Sequence, residues 1–255
     1  MSTKHHPRKR FGQHFLTDHS ILENIVHHVA PEKTDHMIEI GPGLGALTDY
    51  LLPHLNYLEV VEFDRDLIKI LREKYDAKKL IVHEADALQF TYQTVGNDLR
   101  IVGNLPYNIS TPLLFKLFSE INHIHDMHFM LQKEVVLRLT AKIHTANYGR
   151  LSVMSQYFCD HEYLLTVPPE SFDPPPKVES AVVRLTPKKK EKIPEEQFEK
   201  FSLVVKAAFN YRRKQLGNSL KKLISAETLL SLNINPQLRA QDISVDEFIR
   251  ISEKM

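Results

Sequence analysis

With 255 residues and 42% apolar side chains, the chain can fill a sizeable core and is long enough for one large domain or for a large and a small one. It has no run of about 18 apolar residues, and its basic, polar start lacks the apolar stretch of a signal peptide, so neither a membrane span nor secretion is expected. The single cysteine, Cys159, excludes an internal disulfide framework, reads as a buried inert thiol and fits a reducing cytoplasm, while a net charge of +1 does not by itself point to nucleic acid.

In chain order, a basic arm with Lys4, Arg8, Lys9 and Arg10 leads into a helical pattern over 18–29. Strand-like runs near 36–40, 57–62, 80–83, 99–103 and 125–131 then alternate with helical patterns near 44–55, 65–75 and 111–121. That alternation predicts an α/β fold, a mostly parallel sheet with helices on both faces. Apolar runs near 157–166 and 180–186 predict a closing antiparallel pair, and the charge-rich stretch Pro187 to Pro194 reads as a linker. From Glu195 onward apolar residues recur at helical spacing, which predicts a small all-helical domain and a division into 1–187 and 188–255. His123, His125 and His128 resemble a metal cluster only on paper. Only 123 and 125 share a strand face, and no Cys or carboxylate set completes a site, so no metal is expected.

Glu39-Ile40-Gly41-Pro42-Gly43-Leu44-Gly45 lies between the apolar run Met37-Ile38 and a helical pattern through Leu47, Leu51 and Leu52. Its glycines permit a tight turn and close approach of the backbone to a ligand. Gly41-x-Gly43-x-x-Ala46 also satisfies the dinucleotide fingerprint, with the acidic Glu62 at about the expected distance. Three features point to S-adenosylmethionine instead. Glu39 precedes the first glycine, where it can orient the loop or reach the sulfonium amino acid; the glycines alternate; and an adenine-amine site follows two strands later. Glu62 closes the second strand, where its two oxygens can accept from both ribose hydroxyls, and Asp86 after the third can accept from the cofactor's adenine amine. Each acid alone is equally a solvated loop carboxylate.

Asn104-Leu105-Pro106-Tyr107 follows the strand-like Leu99-Arg100-Ile101-Val102 and a glycine, so it falls at the carboxyl end of a strand, where open α/β sheets bind ligands. The Asn side-chain oxygen and a backbone carbonyl before Pro106 can both accept from an exocyclic amine, and Tyr107 offers a stacking face worth roughly 1–3 kcal/mol. Pro106 fixes its own φ and biases Leu105 toward extended geometry. Taken alone, the four residues are also an ordinary Pro-Tyr turn.

With these residues the chain resembles the ribosomal RNA adenine N6,N6-dimethyltransferases that modify small-subunit RNA. The likeness runs from Arg10-Phe11-Gly12-Gln13-His14-Phe15-Leu16 through the glycine loop, Glu62, Asp86 and Asn104 to Tyr107. It continues through Phe172-Asp173-Pro174-Pro175-Pro176-Lys177-Val178-Glu179-Ser180 and Phe209-Asn210-Tyr211-Arg212-Arg213-Lys214-Gln215-Leu216. The resemblance implies a Rossmann-like S-adenosylmethionine-dependent methyltransferase sheet with a small C-terminal helical domain. It implies transfer of two methyls to N6 of each of two adjacent adenosines in a hairpin loop near the 3′ end of 16S rRNA, with a role in subunit biogenesis. It implies cofactor contacts at Gln13, His14, Leu16, Glu39, Gly41, Gly43, Glu62, Asp86, Ala87 and Asn104. The reacting site would be Asn104, Leu105, Pro106 and Tyr107, with Phe172 stacking on the base face opposite Tyr107. RNA would be held by Arg8, Lys9, Arg10, Arg212, Arg213 and Lys214, and the enzyme would work as a cytoplasmic monomer. His14 departs from the pattern, since many relatives carry Asn there; its ring nitrogens can still donate or accept.

Cations cluster at the start, at 188–192 and at 212–222, whereas acids concentrate at Glu59, Glu62, Asp64 and Asp66, a segregation that suits phosphate contacts. Three other readings remain: a large-subunit RNA methyltransferase of the macrolide-resistance type, a non-catalytic nucleic-acid-binding factor on the same scaffold, and a nicotinamide-dependent dehydrogenase. The last gives no account of the Asn104 motif.

Overall fold

The computed structural model describes residues 14–189, 192–211 and 213–255. Gln13, Arg8, Lys9, Arg10 and Arg212 therefore lie outside the described residues. The chain divides into two compact units, one of 1–136 with 161–187 and one of 137–160 with 188–255. The second unit thus includes a segment, 137–160, that the expected single boundary at 187/188 had placed in the first.

The first unit is built on a seven-stranded sheet of β2 (Met37–Ile40), β3 (Leu58–Glu62), β4 (Leu80–Glu84), β5 (Leu99–Asn104), β6 (Ile124–Gln132), β7 (Cys159–Val167) and β9 (Ser180–Pro187). Their spatial order is β4-β3-β2-β5-β6-β9-β7. The β4, β3, β2, β5 and β6 pairings are parallel, and β9 runs antiparallel to β6. β2 and β3 are buried at every residue, Glu39, Glu59 and Glu62 included, as fits central strands of a parallel sheet covered on both faces. A separate two-stranded ribbon pairs β1 (Phe15–Leu16) with β8 (Phe172–Asp173), in the register Leu16 to Phe172. Between them in sequence lie α1 (His19–Val29), α2 (Ala46–Leu51), α3 (Arg65–Lys74), α4 (Ser110–Ser119) and α5 (Lys133–Leu139).

α1 begins where the Asp18 carboxylate accepts from the amides of Ser20 and Ile21, and it buries Leu22, Ile25, Val26 and Val29, one stripe at helical spacing. Its last carbonyls would be orphaned, but two arginines from the sheet satisfy them. Arg100 donates to the carbonyls of Val29 (2.7 Å) and Ala30 (3.3 Å), and Arg184 donates to that of His28. Arg100 is itself paired with Asp35 at 2.6 Å and Asp126 at 2.8 Å, so the charge that caps the helix is compensated.

The second unit holds α6 (Arg150–Phe158), α7 (Glu195–Phe209), α8 (Leu216–Leu220), α9 (Ala226–Ser231) and α10 (Val245–Ser252); α7 packs against α6, α8 and α10, and Tyr157 and Phe158 of α6 meet Phe198 and Phe201 of α7, with neighbouring ring centroids 4.8 to 5.9 Å apart. This aromatic cluster is the reason 150–158 joins the C-terminal helices. Cys159 is buried, and burial pushes its thiol up to about 12.

Candidate active site

The strand order turns back between β2 and β5, the position at which open parallel sheets bind ligands. There, at the carboxyl ends of β2, β3 and β5, a cavity of about 310 Å³ opens within the first unit. It is of the size of small-molecule sites, which run from roughly 300 to 1,000 Å³. His14, Leu16, Glu39, Gly41, Gly43, Glu62, Asp86, Ala87, Asn104, Leu105, Pro106 and Tyr107 all line it. These residues come from sequence positions 14 to 107, and the parallel crossovers bring them to one edge.

The glycine loop owes its course to backbone conformation. Gly41, Gly43 and Gly45 have φ of +66°, +60° and +84°, in the left-handed region that favours glycine. A Cβ on Gly45 would lie 2.2 Å from the Tyr75 hydroxyl oxygen, whereas one on Gly41 would meet nothing within 4 Å. On β5, a Cβ on Gly103 would lie 2.6 Å from the Ile40 carbonyl oxygen, so this glycine lets β5 approach β2 closely just before Asn104.

Glu39 is 2% exposed, and its Oε2 accepts from the Thr48 hydroxyl at 2.6 Å. Burial, reinforced by the nearby Glu62 and opposed by the Thr48 bond, pushes its carboxyl up to about 7. Glu62 Oε1 accepts from the amides of Phe63 (2.8 Å) and Asp64 (2.9 Å), with the Gly43 amide as a further donor. Burial nevertheless holds the Glu62 carboxyl above the usual carboxylate range. The expectation that both Glu62 oxygens face a ribose is thereby narrowed, because part of the acceptor capacity orders the loop after β3. A carboxylate has about four acceptor positions, so capacity remains for a hydroxyl. Asp86 Oδ1 accepts from the Leu88 amide at 2.9 Å, which orients that loop in turn.

At the end of β5, the Asn104 side-chain nitrogen donates to the His14 carbonyl at 3.0 Å. A carbonyl can only accept, so the amide nitrogen is the atom that faces it and Oδ1 is left as the acceptor. Leu105 is buried and its amide donates to the Met130 carbonyl at 3.1 Å; among the described residues nothing donates to its own carbonyl. Tyr107 is half-buried, its hydroxyl bonded to Ser180 Oγ at 2.7 Å, and burial raises its phenol above the ordinary value. The His14 ring stacks on it with centroids 6.0 Å apart and planes 28° apart.

Phe172, expected to stack on a base, lies next to the cavity wall and not in it. It is 4% exposed, packs in the hydrophobic core with Leu16, Val182 and Met130, and does not line the cavity. From this ribbon it is Phe15 and Leu16 of β1 that line the cavity, next to His14. Residue patterns also missed three contributors. Phe63, 61% exposed at the cavity rim, directly follows Glu62 and was open to notice on that ground. Thr48 carries no local signal, and Ser180, although it closes the motif that begins at Phe172, was given no role, because both act through distant partners, Glu39 and Tyr107.

No Lys or Arg lines the cavity among the described residues, whereas Glu39, Glu62, Asp64 and Asp86 do. Such a lining disfavours a pyrophosphate and suits a ligand that carries sulfonium and ammonium charge beside hydroxyls. His123, His125 and His128 diverge: the first two bond Asn97 and Asp98, and the third accepts from Arg184 Nε at 2.9 Å.

In the second unit, Arg213 and Lys214 are exposed in the turn after α7. The Lys214 ammonium sits 4.1 Å from the ring centroid of Tyr211, which is 59% exposed. Charge follows the division of the chain. The second unit's sequence holds 17 Lys and Arg against 10 Asp and Glu, the first unit's 16 against 22.

The parallel sheet, its glycine loop and the acid-lined cavity define a Rossmann-like, S-adenosylmethionine-dependent methyltransferase. Comparison with known proteins narrows the class: the model of the ribosomal RNA adenine dimethylase family matches residues 4–255, and the chain belongs to that family. It is 57% identical over 248 residues to a Ribosomal RNA small subunit methyltransferase A of Coxiella burnetii (strain CbuG_Q212), covering 96% of each chain. It is 53% identical over 249 residues to the protein of that name from Nitrosospira multiformis, covering 98% of this chain and 96% of the other. Among solved structures, a dimethyladenosine transferase from Plasmodium falciparum superposes with a TM-score of 0.80 at 26% identity, over 93% of this chain and 96% of that one. The 23S rRNA methyltransferase ErmE, at 24% identity over 94% and 98% of the two chains, shares the fold with a TM-score of 0.73.

Proposed function

We propose that this protein dimethylates N6 of adenosines in the RNA of the small ribosomal subunit, the two adjacent adenosines of a hairpin loop near the 3′ end of 16S rRNA, and so takes part in subunit biogenesis. The observation that carries the reading is the orientation of Asn104, whose Oδ1 is left as an acceptor beside the Leu105 carbonyl.

Adenine N6 is a weak nucleophile because its lone pair is delocalised into the ring. Acceptance of its two N–H groups by Asn104 Oδ1 and the Leu105 carbonyl turns that lone pair out toward the cavity, and Tyr107 holds the base by its face. S-adenosylmethionine supplies an electrophilic methyl on sulfur. Glu62 and Asp86 would hold its ribose and adenine, while Glu39, Gly41, Gly43, Ala87 and Leu16 shape the remaining wall. No strong base is needed, since the methylated ammonium is acidic enough to lose its proton to water. Alignment of this kind can contribute roughly 7–11 kcal/mol. The target base must be unstacked, at a cost of a few kcal/mol in duplex, which favours loop RNA.

The second unit's surplus of cations supports a docking role for the helical domain, with Arg213 and Lys214 on its surface and Arg8, Lys9, Arg10 and Arg212 as further phosphate contacts. No helix among the described residues is long and apolar enough to cross a membrane, and we infer a monomer acting in the cytoplasm. Labelled methyl transfer to isolated small and large subunits, followed by nucleoside mass analysis, tests the proposal. Dimethyladenosine in small-subunit RNA is the expected product. Label confined to large subunits would instead assign the macrolide-resistance type of activity, and cofactor binding with no transfer would assign a non-catalytic factor.

A further inference from the structure

The imidazole of His14 lines the cavity and also touches the receiving side of the site. Its Nδ1 lies 2.7 Å from the Pro174 carbonyl, which can only accept, so the ring proton sits on Nδ1. Its face is stacked on Tyr107, and its own carbonyl holds the Asn104 amide. The ribbon supports this placement from the next residues onward. Leu16 pairs with Phe172, and the Thr17 amide donates to the Ser171 carbonyl at 2.9 Å. Tyr107 is therefore held twice, at its hydroxyl by Ser180 and at its face by His14, whose ring is anchored to the loop at Pro174.

We infer that His14 is a positioning residue for the target adenine, fixing the Tyr107 platform relative to the Asn104 acceptor, and that its ring matters most for the second methyl transfer. The inference rests on the proposed dimethylation. Its chemical reason lies in the intermediate. Before the first transfer N6 has two N–H groups and both acceptors can engage it. Afterwards it has one, so a single acceptor remains engaged and alignment leans on the aromatic stack. Loosening Tyr107 should thus slow the second step more than the first. An alanine at 14 keeps the backbone carbonyl that orients Asn104, so the substitution isolates the ring.

The test compares the wild-type protein with His14→Ala and His14→Phe on isolated small subunits, with mono- and dimethyladenosine quantified over time and S-adenosylmethionine affinity measured by calorimetry. His14→Ala should bind the cofactor within about threefold of wild type, lose between about 10- and 100-fold in turnover, as an ångström-scale misplacement does, and accumulate monomethyl product. His14→Phe should return the product ratio toward wild type, because it restores a stacking ring without the Nδ1 anchor. A tenfold or larger loss of cofactor affinity in His14→Ala, an unchanged product ratio, or a phenylalanine variant no better than alanine would each overturn the inference. Failure of the wild type to dimethylate small subunits would overturn the functional proposal and this inference with it, whereas active wild type with an unaffected alanine variant overturns the inference alone.

Discussion

Replacement of Glu39 by Gln should remove a pH-dependent weakness from the fold. The side chain is 2% exposed and its Oε2 accepts from the Thr48 hydroxyl at 2.6 Å, a bond that the amide oxygen of Gln can also accept. In the unfolded chain a glutamate ionises near its ordinary value of 4.5, but burial holds the folded group to about 7. Below pH 4.5 both states are protonated and the folded state has its full stability. Between 4.5 and 7 the unfolded chain releases a proton that the folded one keeps, so stability falls as pH rises, by up to about 1.4 kcal/mol per pH unit. Above 7 the loss levels off at about 3 kcal/mol, an order-of-magnitude figure for this fully buried group. Glu39→Gln carries no such loss and should match wild type near pH 4.5, then exceed its stability by a margin that grows to about 3 kcal/mol by pH 8. Urea unfolding of both proteins from pH 4.5 to 8, followed by the difference between them, reads this group together with its coupling to the nearby Glu62, the remaining titrations being shared. A difference that stays flat across that range would refute the argument from burial.

Three further outcomes follow from the site. Asn104→Ala should keep cofactor and RNA affinity but lose about 100-fold or more in methyl transfer, since it removes an acceptor aimed at the reacting amine; near-normal turnover would refute the lone-pair argument. Glu62→Ala should weaken S-adenosylmethionine binding by roughly 10- to 150-fold, the equivalent of about 1.5–3 kcal/mol for a charged hydrogen bond, and should disturb the loop whose Phe63 and Asp64 amides it accepts. Calorimetry showing unchanged affinity would remove it from the ribose site. Neutralising Arg212, Arg213 and Lys214 together should weaken binding to small subunits and flatten its salt dependence by roughly 0.9 in log–log slope for each phosphate that is no longer neutralised, with cofactor affinity unchanged. An unaltered slope would place the docking surface elsewhere.

The parallel sheet was legible in the chain's residues alone, because strand-like runs alternate with helical patterns from residue 36 to residue 131, and a parallel pairing needs such a crossover between its strands. The glycine loop was legible as well, since three alternating glycines meet a need that is local: each backbone turns into the left-handed region at its own position. Asn104, Glu62 and Asp86 stood out for a related reason, since the end of a strand in such a sheet is also an edge of the ligand site. Other features depend on partners far apart in the chain and came from folding. Phe172 looks like a loop aromatic in the sequence, and only the fold sets it in one core cluster with Leu16, its partner across the ribbon from the far end of the first unit's sequence. The amide of Asn104 acquires its direction from a carbonyl 90 residues earlier, and the elevated ionisation of Glu39 exists only once the sheet and α2 have excluded water from it. Helix 150–158 joined the C-terminal helices for the same reason, because Tyr157 and Phe158 find their aromatic partners at 198 and 201. Local pattern encodes which backbone a segment adopts and which face it must bury; the identity of what it is buried against is set by folding.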